Sequence, residues 1–179
     1  MTAQTGTDAA SRGAGPDDTQ LAHAARQALR RMANTVSVIT CSTTNGPYAM
    51  TATAVSSLSM APPSLLVCIN RSARIHDQIA LAPHFAVNIL SREQTPVSKA
   101  CGGLRDGRDR FEIGGWDLTG AVPVLSGAQA TIVCQRADAT AFGTHTIFIG
   151  EIVSASVHGE IDPLVYCAGN YVERPLGGA

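Results

Sequence analysis

The segment from Tyr48 to His76 constrains the fold most strongly, because it has the pattern of two consecutive β-strands. Its first half contains the run TATAVSS at positions 51–57, which is rich in small and hydroxyl side chains. Its second half contains the apolar run Leu65–Ile69, which follows Pro62 and Pro63. Short apolar runs bounded by turn residues are typical of strands. We therefore expect strands over about 48–57 and 64–70.

The same segment has the composition of a ligand site. Small side chains at 51–54 let a ligand approach backbone N–H groups, and nearby hydroxyls with Arg71 and Arg74 suit a phosphate. A flat, polar-edged ligand that carries a phosphate would fit both halves. The alternative is a Thr/Ser-rich strand pair followed by a solvated basic turn, which is common in β-proteins, and composition alone favours it.

The rest of the chain also contains more strand patterns than helix patterns. Apolar spacing after Asp17 predicts an amphipathic helix that ends near Ala33. Short helices are expected at 75–82 and 91–101, and a long loop at 102–120. Further strands are expected at 35–40, 85–90, 128–138, 144–157 and 164–167. Because no βαβ alternation is visible, the order predicts a mainly β antiparallel barrel with peripheral helices.

Length and charge agree with one domain. The 179 residues are 45% hydrophobic and 15% charged, so part of the apolar surface is expected to be buried in an oligomer. Residues 1–18 resemble a disordered tail, and 19–175 are expected to form the domain. A net charge of −1 argues against nucleic acid or an acidic membrane as partner. No apolar run is long enough for a membrane span or a secretory signal, so a cytoplasmic location is expected.

The sequence lacks the motifs of several familiar chemistries. Its five cysteines are dispersed and contain no CxxC, which favours neither a disulfide framework nor a zinc site. Cys41, Cys68 and Cys134 lie in apolar runs and are expected in the core. The five histidines show no metal spacing, so no metal is expected. No GxGxxG, P-loop, HExxH or GxSxG is present.

Several spaced motifs in one order resemble the flavin reductase-like family, the small reductase components of two-component flavin monooxygenases. They are MTATAVSSLSMAPPSLLVCIN from Met50, Ser72 to His76, FAVNIL from Phe85, DRF from Asp109 and GTHTIFIGEI from Gly143. The resemblance covers about residues 25–172. It implies a split β-barrel of the FMN-binding type, paired as a homodimer, with FMN or FAD near the subunit interface. It also implies hydride transfer from NADH or NADPH and a partner monooxygenase that receives reduced flavin.

The resemblance also implies site residues. The polar edge of the isoalloxazine ring would contact the backbone of Thr51, Ala52, Thr53 and Ala54, with Thr35 and Val36 along its other side. The remaining cofactor-binding residues, around the ribityl chain, the phosphate and the mouth of the pocket, would be Ser57, Asn70, Ser72, Arg74, His76, Asn88, Arg110 and Phe111. Taken singly, Arg74 and Arg110 could equally be solvated charges. Asn88 could satisfy local backbone groups, and Phe111 could belong to the core.

His145 is the candidate catalytic residue. It opens the strand GTHTIFIGEI, on the same face as Ile147 and Ile149. A histidine at a strand end is commonly a hydrogen-bonded structural residue. The resemblance places a histidine near the nicotinamide here, which implies that His145 orients the carboxamide.

The sequence leaves several functional alternatives open. One is an enzyme of the same fold that holds flavin tightly and reduces another acceptor, such as a corrinoid or a metal chelate. Another is a flavin-binding module without turnover. The choice between FMN and FAD is open, and the lack of a basic cluster for a 2′-phosphate favours NADH over NADPH weakly.

Overall fold

We describe the protein from a computed structural model that covers residues 16–105 and 107–172. These residues fall into two compact units, one that ends at Met32 and one that begins at Ala33. The first contains helix α1, Pro16–Leu29, which ends about one turn before the predicted end near Ala33. Positions 16–18 of the expected tail belong to α1, because proline is favoured at the first helical position. The other residues of that tail lie outside the described residues.

The second unit consists mainly of strands. The strands are β1 Asn34–Thr35, β2 Ser37–Thr43, β3 Gly46–Ala52, β4 Val55–Met60, β5 Pro63–Asn70, β6 His84–Ile89, β7 Trp116–Asp117, β8 Val124–Leu125, β9 Ala130–Phe142, β10 His145–Val157, β11 Val165–Cys167 and β12 Asn170–Tyr171. The helical segments are α2 His76–Leu81, α3 Thr95–Lys99, the 3-10 turns Arg92–Gln94 and Gly107–Glu112, and the π-turn Ala100–Leu104. None of the described helices is long and apolar enough to cross a membrane.

The main sheet has seven strands in the order β3-β2-β6-β9-β10-β5-β4. Every pair in it is antiparallel, as the sequence predicts. β3 and β4 are its two ends, and no pairing between them closes the sheet among the described residues. The expectation of a mainly β fold is therefore confirmed, whereas this structure shows an open strand order in place of a closed barrel. A smaller sheet, β1-β11-β12, connects to it through Val36, whose N–H donates to Leu164 O at 2.8 Å.

The core lies on both faces of the main sheet, which is why β2 is buried along most of its length. Ile39 and Cys41 point to one face, where they join Phe85, Phe148 and Ile79 of α2. The opposite face holds a second cluster, Val36, Val38, Ala49, Leu90, Val97, Cys101, Leu125, Ala128 and Leu164. Alternation along one strand therefore supplies side chains to two cores.

One position of β10 is packed so closely that it requires glycine. A Cβ added at Gly150 would lie 2.5 Å from Cζ of Phe85 and 2.6 Å from Cβ of Cys134. Both neighbours are fully buried and cannot move aside. The absent side chain at position 150 thus lets the Phe85 ring lie against β10.

The expectation of a plain loop over 102–120 is wrong in part. The segment contains the 3-10 turn Gly107–Glu112 and strand β7. The rings of Phe111 and Trp116 meet edge to face at 5.2 Å, and Trp116 Nε1 donates to Ile113 O at 2.8 Å. These tertiary contacts order a glycine-rich segment whose sequence carries no clear periodicity.

Candidate functional site

Strand β3 presents an open backbone edge, because it is the first strand of the main sheet. Arg110 Nη1 donates to Ala49 O at 2.6 Å, which shows that this carbonyl points away from β2. Because backbone groups alternate along a strand, those of Thr51 point the same way. An edge strand offers such groups as a row of donors and acceptors for a ligand.

A cavity of about 390 Å³ lies beside this edge, and we call it the Thr51 cavity. It is lined by Val36, Thr51, Ala52, Thr53, Ser98, Lys99, Gly102, Tyr166 and Tyr171. Thr51 Oγ1 donates to Ser98 O at 2.7 Å, which fixes that side chain and leaves the strand backbone accessible. Gly102 and Ala52 line the Thr51 cavity with little or no side chain, which leaves room for a ligand beside the backbone, and Lys99 provides a positive charge. Four residues predicted from the sequence, Val36 and Thr51 to Thr53, are thus brought together.

An apolar cleft of about 600 Å³ adjoins the Thr51 cavity, since Thr53 lines both. The predicted residues Thr35 and Ser57 lie in its wall. Most of its other lining side chains are apolar, among them Met60, Leu65, Val87, Ile89, Ile132, Ile152 and Ile161. A flat aromatic ring could lie across this boundary, with its polar edge on β3 and its apolar edge in the cleft.

Three guanidinium groups line a smaller cavity of about 190 Å³ further along β3, which we call the arginine cavity. Arg74 reaches it from the turn before α2, and Arg108 and Arg110 from the 3-10 turn Gly107–Glu112. Arg110 is held in place by a second bond, from Nε to Arg105 O at 2.9 Å. No carboxylate occurs among the described lining residues. Three arginines on one small cavity are suited to a phosphate.

The thiols nearest the core are not reactive groups. Burial raises the pKa of Cys101 to about 11, although the positive charge of Arg110 opposes the increase. Burial alone raises the pKa of Cys41 and Cys134 to about 12. These thiols are protonated at neutral pH, so none of the three is a nucleophile. Cys41 and Cys134 are core residues as expected, whereas Cys68 is only half-buried.

A second group of predicted residues meets where β5 and β10 pair. His145 lies directly opposite Asn70, and its Nδ1 lies 2.9 Å from Thr144 Oγ1. Asn70 Oδ1 accepts bonds from both N and Oγ of Ser72, each at 2.9 Å. The imidazole of His145 is exposed, so a ligand can reach it.

His76 joins α2 to the main sheet near the end where Asn70 of β5 pairs with His145 of β10. Its Nε2 lies 2.8 Å from Thr146 Oγ1, its Nδ1 lies 2.8 Å from Asp77 Oδ1, and its ring meets Phe148 edge to face. These contacts give His76 a structural role beside the predicted site. Neither His76 nor His145 lines the cavities described along β3.

The predicted cofactor-binding role of Asn88 is corrected, because the structure places this residue in the core and away from these cavities. Its side chain is fully buried. Nδ2 donates to Val38 O and Thr40 Oγ1, and Oδ1 accepts from Leu125 N and Thr131 Oγ1. With every polar atom satisfied, Asn88 joins β6 to its neighbours and has no free group for a ligand.

The remaining predicted residues have mixed positions. Ala54 lies in the turn between β3 and β4, where its carbonyl accepts from Cys68 N at 3.0 Å. Phe111 packs against Trp116 and also lines a cavity next to Arg108.

Sequence reasoning missed Ser98, Lys99, Gly102 and Arg108, which come to β3 only through tertiary structure. The segment RDGRDR at positions 105–110, with three arginines among two aspartates, was the one visible sign of Arg108. Among the described residues, no group of His, Cys, Asp or Glu is placed to hold a metal ion.

Comparison with known proteins places this geometry in a family. The profile of the "Flavin reductase like domain" matches residues 29–174, most of the chain. The chain belongs to the flavin reductase-like family. The features along β3 fit a flavin: outward backbone groups for the polar ring edge, an apolar cleft for the other edge, and arginines for the phosphate.

Individual members of the flavin reductase-like family are similar over nearly their whole length. The reductase component of an FADH(2)-dependent resorcinol hydroxylase from Rhizobium sp. (strain MTP-10005) is 42% identical over 86% of this chain and 87% of its own length. The FMN reductase (NADH) RutF of Pseudomonas syringae pv. syringae (strain B728a) is 37% identical over 84% and 85%. The solved structure of the flavin reductase PheA2 superposes with a TM-score of 0.77, at 31% identity over 87% and 98%.

Proposed function

We propose that this protein is an NAD(P)H-dependent flavin reductase that passes a hydride from a reduced nicotinamide to FMN or FAD. Its relatives named as an FMN reductase (NADH) and as the reductase component of a hydroxylase support this activity. The observation that carries it is the continuous row along β3 of outward backbone, small side chains and arginines. This row suits a ligand with a flat polar ring at one end and a phosphate at the other.

The protein's contribution to the reaction is to bind and orient. When bound, the flavin supplies the hydride-accepting chemistry. The backbone of Thr51 to Ala54 holds the polar edge of the ring, where N–H donors stabilise negative charge. Arg74 and Arg110 hold the phosphate.

The nicotinamide ring must lie against the isoalloxazine ring of the flavin, because hydride transfer requires close contact between donor and acceptor. His145 is exposed at the end of β10, opposite Asn70, and we assign it the role of orienting the carboxamide. Hydride transfer itself requires no general acid or base, so the protein's task is to hold the two rings in contact.

The finer architecture belongs to the same proposal. We assign a split β-barrel of the FMN-binding type that pairs as a homodimer. The apolar side chains of Met60, Val157 and Ile161 are 80%, 81% and 89% exposed, which supports a second copy on this surface. Pairing would shield these side chains from water and close the apolar cleft, whose wall includes Met60 and Ile161.

The product is delivered to a partner monooxygenase, free or channelled. The support is the relative named as the reductase component of a resorcinol hydroxylase. We also propose a cytoplasmic location. The five cysteines are dispersed along the sequence and contain no CxxC, a pattern unlike the disulfide frameworks of small secreted domains.

Steady-state oxidation of NADH by the purified protein, with and without added FMN or FAD, tests the activity. The proposal predicts turnover that depends on added flavin and saturates with it. A rate of NADH oxidation that does not depend on added flavin would indicate a tightly bound flavin and another electron acceptor. A protein that binds flavin and oxidises neither NADH nor NADPH would be a binding module, and the proposal would fail.

A further inference from the structure

A third cavity follows the Thr51 cavity and the arginine cavity along β3. This Leu118 cavity has a volume of about 410 Å³ and is lined by Ser42, Thr43, Gly46, Pro47, Arg108, Phe111, Leu118 and Gly120. Pro47 and Arg108 also line the arginine cavity, so the two adjoin. The lining residues therefore advance in register along the strand, from Thr51–Thr53 to Tyr48–Ala49 and then to Gly46–Pro47.

The Leu118 cavity has the chemistry of a nucleoside site. Phe111 and Leu118 provide an apolar wall, and the Phe111 ring is held by its edge-to-face contact with Trp116. Ser42 provides a hydroxyl group that can accept or donate a hydrogen bond. The Thr43 hydroxyl already donates to Gln78 Oε1 and accepts from Asn45 N, each at 3.2 Å. Its described lining contains no carboxylate. A flat heteroaromatic base and a ribose match these groups.

Arg108 is positioned at the boundary between the two cavities. Its guanidinium lies over the β2–β3 turn, where a Cβ added at Gly46 would be 3.1 Å from Nη2. Gly46 has a φ of +112°, a backbone conformation that residues other than glycine rarely adopt. The turn thus leaves room for a cation between the phosphate-sized cavity and the base-sized cavity.

We propose that Arg108 and the Leu118 cavity form a subsite for the adenosine monophosphate half of a flavin dinucleotide, so that the protein binds FAD more tightly than FMN. Strand β3 has seven residues and extends about 20 Å, at roughly 3.3 Å per residue. This distance matches an extended dinucleotide with its ring at the Thr51 cavity, its diphosphate at the arginines and its adenine at Leu118. Family membership leaves the choice open, since one relative is named for FADH(2) and another for FMN.

The inference rests on the proposed function, since the ring must occupy the Thr51 cavity. The test is titration of FAD and of FMN with flavin-free protein, followed by the change in flavin fluorescence, for the wild type and three variants. Arg108→Ala removes the shared cation, and Leu118→Glu places a carboxylate in the wall at a half-exposed position. Arg105→Ala is the matched control, because Arg105 belongs to the same loop but pairs with Glu112 at 2.8 Å and lines neither cavity.

The wild type should bind FAD at least about tenfold more tightly than FMN. Leu118→Glu should weaken FAD about tenfold while FMN changes less than about threefold, because Leu118 lines only the Leu118 cavity. Arg108→Ala should weaken both flavins, because Arg108 also lines the arginine cavity, but it should weaken FAD more than FMN. Arg105→Ala should keep the wild-type ratio. Equal affinity of the wild type for both flavins, or equal weakening of both by Arg108→Ala, would overturn the subsite.

A steady-state assay separates this failure from failure of the proposed function. Turnover of NADH with FMN reports the function alone. Loss of FAD preference with FMN turnover intact would remove only the subsite. An increase in the KM for NADH or NADPH in Arg108→Ala, with FAD affinity unchanged, would assign the cavity to the nicotinamide nucleotide and also overturn the inference.

Discussion

Arg110 donates from Nη1 to the carbonyl oxygen of Ala49 at 2.6 Å, which joins the segment after the π-turn to the edge of β3. The same guanidinium donates from Nε to Arg105 O. One side chain therefore shapes the segment and supplies the arginine cavity with charge. A ligand phosphate would share a cation that the fold has already oriented.

Replacing Arg110 should weaken flavin binding. Arg110→Ala removes the charge and both hydrogen bonds, and we expect the Kd for FMN to rise about tenfold or more, because hydrogen bonds to a charged group contribute about 1.5–3 kcal/mol. Arg110→Lys keeps the charge but cannot make both bonds, so its Kd should lie in between. Fluorescence titration measures all three proteins. An unchanged Kd in Arg110→Ala would remove Arg110 from the site.

Replacing His145 with alanine should impair the use of NADH without affecting flavin binding. The imidazole is exposed and makes its one described side-chain contact with its neighbour Thr144. We expect the KM for NADH to rise several-fold while the Kd for flavin stays constant. His158→Ala is the control, since His158 is also exposed and lines none of the described cavities. If His145→Ala and His158→Ala have the same kinetics, the assigned role of His145 is wrong.

Gly150→Ala should destabilise the protein. Its Cβ would lie 2.5 Å from a ring carbon of Phe85, so the core must shift at a cost of about 1–3 kcal/mol. Thermal unfolding should show a lower Tm by about 2–4 °C per kcal/mol. Gly120→Ala is a suitable control, because a Cβ there would have ordinary contact at 3.7 Å. Equal Tm values for the two variants would contradict this account of the packing.

Stability should fall at alkaline pH. The pKa of Cys41 and Cys134 is about 12 in the folded protein, against an ordinary value of 9.0. Above pH 9 the unfolded chain loses these protons while the folded protein keeps them, so the free energy of unfolding decreases as pH rises toward 12. Urea unfolding at a series of pH values measures the slope.

Cys41→Ala combined with Cys134→Ala should reduce that slope. A slope identical to that of the wild type would show that the buried thiols do not cause it. Alkylation adds an independent check: at pH 8.5 the half-buried Cys68 and Cys167 should react before the three buried thiols.

Much of the fold could be predicted from periodicity, because β2, β5, β6, β9 and β10 are apolar or alternating runs bounded by turn residues. The site was predictable where its residues are consecutive in sequence, as Thr51 to Thr53 are at the end of β3. Residues that reach the site from a distant segment were not predictable from local pattern. Lys99 and Arg108 are examples, since helix α3 and the 3-10 turn Gly107–Glu112 bring them to β3.

Asn88 shows the opposite difficulty. Its family motif suggests a pocket residue, but its amide is fully used by four partners from β2, β8 and β9. A buried amide with all its hydrogen bonds satisfied cannot be distinguished in sequence from one that faces a ligand. The register of β2 and β9 against β6, together with the packing of β8 beside it, decides which it is.

The most direct test of the central claim is an anaerobic single-turnover experiment. The protein with one equivalent of FMN or FAD is mixed rapidly with NADH, and the flavin and nicotinamide absorbance bands are followed together. Our account predicts that both bands decrease at the same rate and in equal amounts, and that the rate is lower in His145→Ala. Bound flavin that keeps its absorbance while NADH persists would contradict the assignment of this protein as a flavin reductase.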